Sequence, residues 1–185
     1  AGERWHAHCK AEIILAGGAV NSPQLLQLSG IGSRTLLEKL GIAVVNDLPG
    51  VGENLQDHLS CRVVYRCRPG TITINEIYNS WPRRLVEGAR YLLQRRGLLM
   101  MAGGPVGLFA KSRPGLPSPE VQFHFLAWSL DRPGGAMHPF PGCTISCVPC
   151  RPQSRGWLRI SSADPRVAPA IQPNYLAMHA DRDCM

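Results

Sequence analysis

Three groups of residues in this sequence have types and spacings that chemistry can use. The first is Ala16, Gly17, Gly18 and Ala19, followed by Ser22 and Pro23. Glycines let backbone approach a ligand closely, a Ser-Pro pair starts a helix abruptly, and the N–H groups of a helix start can face a polar or anionic cofactor. The same residues equally suit a tight packing turn, so both readings stand. The second group is Asn54, Gln56, Asp57 and His58, a polar loop that either hydrogen-bonds a cofactor or holds two domains together. The third is Cys147-Val148-Pro149-Cys150, the spacing of redox and zinc motifs. A redox pair needs a helix start, but Arg151-Pro152 follows, and a structural zinc needs four ligands where no second Cys or His pair is suitably spaced. These thiols therefore read as free, with no metal site. Phe123 and His124 are candidate pocket residues on one strand, and alternation puts them on different faces, so only one of them can meet a substrate. His6, His8, His138 and His179 have no partners at diagnostic spacing, and none is given a catalytic role.

The elements that position these groups can be read from periodicity. Residues 13–16 form a continuous apolar run, which predicts a strand inside a sheet covered on both faces. After the glycine turn, Ser22 is the expected N-cap and Pro23 the first helical residue, with Leu25, Leu26 and Leu28 as an apolar stripe. Gly30 and Gly32 stop that helix. Ser33 then caps a second one, closed by Gly41 and followed by a strand at 42–45. From residue 49 the pattern changes. Cys61, Val63, Tyr65 and Cys67 alternate with Arg62 and Arg66, the period of a half-buried strand. Between 81 and 96, Leu85, Val86, Ala89, Leu92 and Leu93 recur at helical spacing opposite the arginines, predicting one amphipathic helix. Further strands are expected at 121–128, 144–148 and 157–161, between loops rich in Pro and Gly.

The chain has 185 residues, 44% of them hydrophobic and 18% charged, an ordinary globular composition. Its longest apolar runs fall far short of the roughly 20 residues of a membrane-spanning helix. Neither end carries a recognisable signal or closing motif, so both read as cut rather than finished. The formal charge of +7 is mostly scattered arginine without interleaved aromatic platforms, which argues against nucleic acid as a partner. Its one concentration is Arg83, Arg84, Arg90, Arg95 and Arg96. That helix reads as a solvated face, or alternatively as a peripheral membrane-surface or partner-binding element together with Leu98, Leu99, Met100 and Met101. Seven cysteines without a paired framework point to a reducing compartment, cytoplasmic or at an inner membrane, and not to secretion.

The stretch Gly18-Ala19-Val20-Asn21-Ser22-Pro23-Gln24-Leu25-Leu26-Gln27-Leu28-Ser29-Gly30-Ile31-Gly32 resembles the second signature of the glucose-methanol-choline (GMC) oxidoreductase family. Its company strengthens the resemblance: Ala11-Glu12-Ile13-Ile14-Leu15 before it, then Pro49-Gly50-Val51-Gly52-Glu53-Asn54-Leu55-Gln56-Asp57-His58. Later segments, including Gly156-Trp157-Leu158 and Ile171-Gln172-Pro173-Asn174-Tyr175-Leu176, are similar to the choline dehydrogenase branch. The resemblance implies an α/β plus α+β fold: part of a Rossmann-like FAD domain at 1–48, a junction loop at 49–60, and part of a substrate domain at 61–185 whose antiparallel sheet roofs the flavin ring. It implies FAD as cofactor and a small-molecule alcohol as substrate, with either oxidase or dehydrogenase chemistry. Ala16, Gly17, Gly18, Ala19, Ser22, Asn54, Asp57 and His58 become the candidate cofactor contacts, and Phe123 or His124 the candidate pocket residue. The family's Gly-x-Gly-x-x-Gly fingerprint does not occur here. Its active-site His is expected beyond Met185, so an internal fragment, inactive alone, is the reading that follows.

Overall fold

The computed structural model describes residues 5–101 and 103–185. In chain order its elements are α1 (Gly18–Leu28), β1 (Ile31–Gly32), α2 (Arg34–Lys39), β2 (Asn46–Asp47), β3 (Cys61–Arg66), α3 (Ile74–Tyr78) and α4 (Trp81–Gln94), then β4 (Val106–Ala110), β5 (Val121–Leu126), β6 (Gly142–Pro149), β7 (Trp157–Arg159), β8 (Ala170–Gln172) and α5 (His179–Cys184). A short 3-10 turn, Leu98–Met100, follows α4. They divide into two units, one with residues up to Gln56 and 155–174, the other with 57–154 and 175–185. Residues 155–174, expected in the substrate domain, thus pack with the first unit.

In the first unit α1 begins at Gly18, earlier than the expected start after Ser22. The hydroxyl of Ser22 reaches back and accepts the N–H of Gly17 at 3.0 Å, so this serine caps the turn from inside the helix. Gly18 has φ +78°, a conformation that favours glycine. Ser33 does precede α2, but the N–H of Arg34 is taken by Asp47 Oδ1 at 3.0 Å. The interior strand expected at 13–16 does not form, and Ile13 and Ile14 are 73% and 79% exposed. A parallel strand needs a neighbour to supply its ladder, and among the described residues none lies alongside. The strand expected at 42–45 does not form either; the two-residue β2 follows it, paired in parallel with β1. The core of this unit is Leu37, Leu158, Ile160 and the side chain of Gln27. Strands β7 and β8 pair antiparallel across it.

The second unit carries a four-stranded antiparallel sheet in the order β3-β6-β5-β4. Thr144, Ser146, Val148 and Leu126 turn to its buried side. Cys147 of β6 lies opposite both Cys61 and Phe123, and Leu108 lies opposite Phe123, so these residues share the other face. Strand β3 is where its alternation predicts, but both of its faces are exposed rather than one. Period two says which residues share a face and not what covers it. Helix α4 also forms as predicted and ends at Arg95, φ +52°. Its orientation reverses expectation: no residue of it is buried, Leu85 and Leu93 are 59% and 83% exposed, and the half-buried positions are Glu87, Gly88 and Tyr91.

Candidate functional site

The start of α1 and the loop at 51–56 form the two walls of a cleft of about 410 Å³ in the first unit. Ala19, Ser22 and Pro23 line one wall, Gly52, Asn54 and Gln56 the other. A helix cannot satisfy its own first N–H groups, so those of the first turn of α1 are donors available at this edge. The loop is held by Gln27, whose side chain is fully buried. Its Nε2 donates to the carbonyls of Val51 at 3.0 Å and Leu158 at 3.2 Å, and its Oε1 accepts the N–H of Ile160 at 2.8 Å. Gly52 completes the contact at φ +85°: a Cβ there would stand 2.1 Å from the Leu158 carbonyl oxygen and 2.6 Å from Gln27 Nε2. Leu55 and Gly156 exchange backbone hydrogen bonds of 2.9 and 2.8 Å. Arg159, lying over the Trp157 ring at 4.5 Å, donates through Nε and Nη2 to Glu53. Asn54, between these anchors, takes the left-handed conformation at φ +60° and is exposed at the cleft. Asparagine is one of the few residues that adopts it at low cost.

Of the expected cofactor residues, Ala19, Ser22 and Asn54 therefore meet at one cleft. Ala16, Gly17 and Gly18 are exposed beside it and are not part of its lining. Asp57 and His58 belong to the second unit. There the Asp57 carboxylate accepts the phenolic O–H of Tyr175 and, at 2.9 Å, the backbone N–H of His58. That hydrogen bond, then burial and the carboxylate charge, holds the Tyr175 phenol above its ordinary pKa. Asp57 is thus engaged in tying two distant segments of its own unit.

The open face of the second sheet forms a hollow of about 880 Å³. Phe123, Phe125, Ile145, Val63 and Leu108 are its apolar floor, and Cys184 and Met185 close one end. Phe123 faces this hollow, whereas His124 lies on the opposite side of the sheet, in register with Ser146 and Gly107. Burial first, then the neighbouring Cys61, raises the pKa of the Cys147 thiol; burial and the Cys67 thiol do the same for Cys143.

Several structural partners are missed by sequence spacing. His138 has close partners: its Nδ1 lies 3.0 Å from Ser129 Oγ and its Nε2 2.9 Å from Asp131 Oδ1. The order Ser-His-Asp is that of a nucleophile relay, but Ser129 is fully buried and its hydroxyl also accepts Asn75 Nδ2 at 3.1 Å. Asn75 Nδ2 bonds the carbonyls of Ser129 and His138 as well, and its Oδ1 accepts the Ser129 N–H. This is a hub that folds the loop at 127–140, with no opening for a substrate.

Residues 3–60, which span the α1 turn and the cleft loop, match the family model described as GMC oxidoreductase. The chain is 43% identical over 182 residues to an oxygen-dependent choline dehydrogenase of Photobacterium profundum, an alignment covering 96% of this chain and 32% of that one. The chain belongs to the GMC oxidoreductase family. The mitochondrial choline dehydrogenase of Homo sapiens is 42% identical to this GMC segment, with 97% and 30% of the two chains covered. A solved formate oxidase of Aspergillus oryzae, studied for modification of its FAD, superposes at a TM-score of 0.74 and 24% identity over 90% of the segment and 33% of its own chain, a likeness of fold. The segment spans about a third of the length of the curated relatives it matches.

Proposed function

We propose that this chain is the part of an FAD-dependent, choline dehydrogenase-like oxidoreductase that contributes one wall of the nucleotide site and an apolar wall of the alcohol pocket. The observation that carries the reading is the 43% identity to a choline dehydrogenase along 96% of the chain, because it includes both walls of the first unit's cleft and the sheet of the second. The residues of the cleft fit the polar part of such a cofactor. Ala19 and Ser22 are small, Gly18 has open space where a side chain would project, and the helix-start amides and Asn54 offer donors suited to phosphate or ribose oxygens. When bound, FAD supplies the hydride acceptor for oxidation of a CH–OH carbon.

What the chain's own residues do is bind and exclude water. The donors of α1 and Asn54 hold a polar group against the loop that Gln27 and Gly52 fix. The floor of Phe123, Phe125 and Ile145 offers apolar surface to a substrate or a flat ring. No residue of this chain is assigned the proton-accepting role, so the isolated chain is expected to be inactive, with FAD leaving its melting curve unmoved. Asp57 takes a holding role through its bond to Tyr175, and the exposed His58 stays a candidate cofactor contact. Unpaired thiols favour a reducing compartment, cytoplasmic or at an inner membrane. A second reading, a docking role for the basic helix at 81–96, rests on the outward-facing apolar arc of α4 and does not compete with the first.

Asn54→Asp tests the cleft, because it keeps the size and the tolerance of the left-handed conformation but turns a donor into an anion. In a protein carrying this segment together with the rest of a GMC enzyme, flavin retention should fall roughly tenfold, with the thermal midpoint of the flavin-free protein unchanged. A full flavin complement in that variant would remove Asn54 from the site. Gly18→Val, which forces a β-branched residue to positive φ, should lower retention in the same assay.

A further inference from the structure

Cys61 and Cys147 stand directly opposite one another on β3 and β6. Residues so placed in an antiparallel ladder have Cα atoms about 4.5 or 5.5 Å apart, and both separations fall within the span of about 4.4 to 6.8 Å that a disulfide bridges. Their side chains leave the sheet on one face, shared with Tyr65 and Phe123. A rotation about χ1 between staggered positions is all that the two sulfurs need to meet. Two strands of a single sheet make this juxtaposition, so it does not depend on what covers the face.

The other described cysteines are placed less well. Cys67 is hydrogen-bonded to the Cys143 thiol, but the residue opposite Cys143 is Tyr65. Cys67 and Cys143 are therefore diagonal neighbours, about 7 to 8 Å apart at Cα, where a bridge needs the backbone to move. Cys147 and Cys150 lie three residues apart along one extended segment, a distance of about 10 Å. Cys184 turns its thiol to the Glu120 carbonyl at 3.9 Å, and Cys9 belongs to the first unit. The opposed pair also differs in access. Cys61 is exposed, whereas Cys147 is half-buried with Met185 Sδ 4.0 Å from its sulfur. Burial, then the neighbouring Cys61, pushes the Cys147 thiol up, which leaves Cys61 as the sulfur that meets an oxidant first.

We propose that Cys61 and Cys147 form a dithiol site for hydrogen peroxide, converted reversibly to a disulfide that staples β3 to β6. The Cys61 thiolate attacks one peroxide oxygen: the S–O bond forms as the O–O bond breaks, and the departing hydroxide takes up the proton that Cys61 had lost and leaves as water. The Cys147 sulfur then attacks the sulfenic sulfur of Cys61. The S–S bond forms, the S–O bond breaks, and the second water carries away the proton of Cys147. Two thiols lose two electrons in all, and one peroxide is reduced to two waters. The staple fixes an edge strand, which the sheet holds by a single ladder. In a reducing compartment such a pair rests as thiols and closes when oxidant accumulates.

The pair needs neither flavin nor alcohol, so the chain alone shows it. The test is stoichiometric hydrogen peroxide added to the reduced chain, then alkylation of the remaining thiols, digestion and mass spectrometry. The seven thiols should fall by two, with Cys61 and Cys147 in one linked product, and dithiothreitol should restore both. The thermal midpoint of the linked chain should rise by roughly 5 °C or more. Cys61→Ser and Cys147→Ser should each abolish the link, while Cys67→Ser and Cys150→Ser leave it unchanged; all four positions are exposed or half-buried, and circular dichroism checks that the sheet of each variant is intact. Seven intact thiols, a link between Cys67 and Cys143 or between two chains, or oxidation of Cys61 without any link would overturn the proposal. So would a link that forms as fast in urea, since the register of β3 on β6 would then contribute nothing.

Discussion

Replacing Gln27 by Leu strands three backbone groups: the buried carbonyl of Leu158 and N–H of Ile160, and the part-buried carbonyl of Val51. A buried polar group left without its partner costs about 1 to 3 kcal/mol, so Gln27→Leu should destabilise the first unit by about 3 kcal/mol or more. Gln24→Ala, three residues earlier on the same helix, loses one exposed bond to the Val167 carbonyl and should cost less than about 1 kcal/mol. Urea unfolding followed by Trp157 fluorescence compares them, and equal costs would refute the keystone role of Gln27. None of this is legible in residue spacing. Gln27 looks like one polar position on a leucine-rich helix, and its partners stand up to 133 residues away. The same is true of Arg159 with Glu53, 106 residues apart, and of Tyr175 with Asp57, 118 apart. What the residue types did reveal was the glycine turn and the polar loop, because close backbone approach and left-handed conformations restrict which residues can serve.

Elements with strong internal periodicity were legible: α4, α2, and the strands β3, β5 and β6 all lie where alternation or helical spacing puts them. The run at 13–16 reads just as clearly, yet it forms no strand, because a ladder is made by two segments and periodicity describes one. Strand β4 escaped notice behind Gly107, and β8 is only three residues long. The burial of α4 was misjudged because a helical stripe specifies a face and not its cover. Hydrogen exchange should follow this division. Strand β6, paired on both sides, should hold the slowest amides of the chain, with those of Thr144 to Val148 outlasting the edges β3 and β4. Residues 13–16 should exchange at the rate of an open chain. Protection of Ile13 and Ile14 comparable to that of β6 in a soluble monomer would show that the expected strand forms after all.

For the molecule, the two units present complementary halves of a proposed chemistry: a small-residue cleft with amide donors, and an apolar sheet. Each leaves surface that a self-sufficient domain would bury. The whole of β3 is exposed, as are Ile13 and Ile14, and the segment spans about a third of the relatives that share its sequence. That pattern agrees with a piece whose walls are completed by the rest of a GMC enzyme, and in such an enzyme the reaction leaves an optical signature. The most direct measurement is the absorption spectrum of a complete protein carrying this segment, recorded without oxygen before and after addition of choline and of simple primary alcohols. Flavin bands that bleach on addition of one of these alcohols are the predicted result. A protein that purifies without flavin and takes up none when FAD is supplied, while remaining folded, would contradict the assignment.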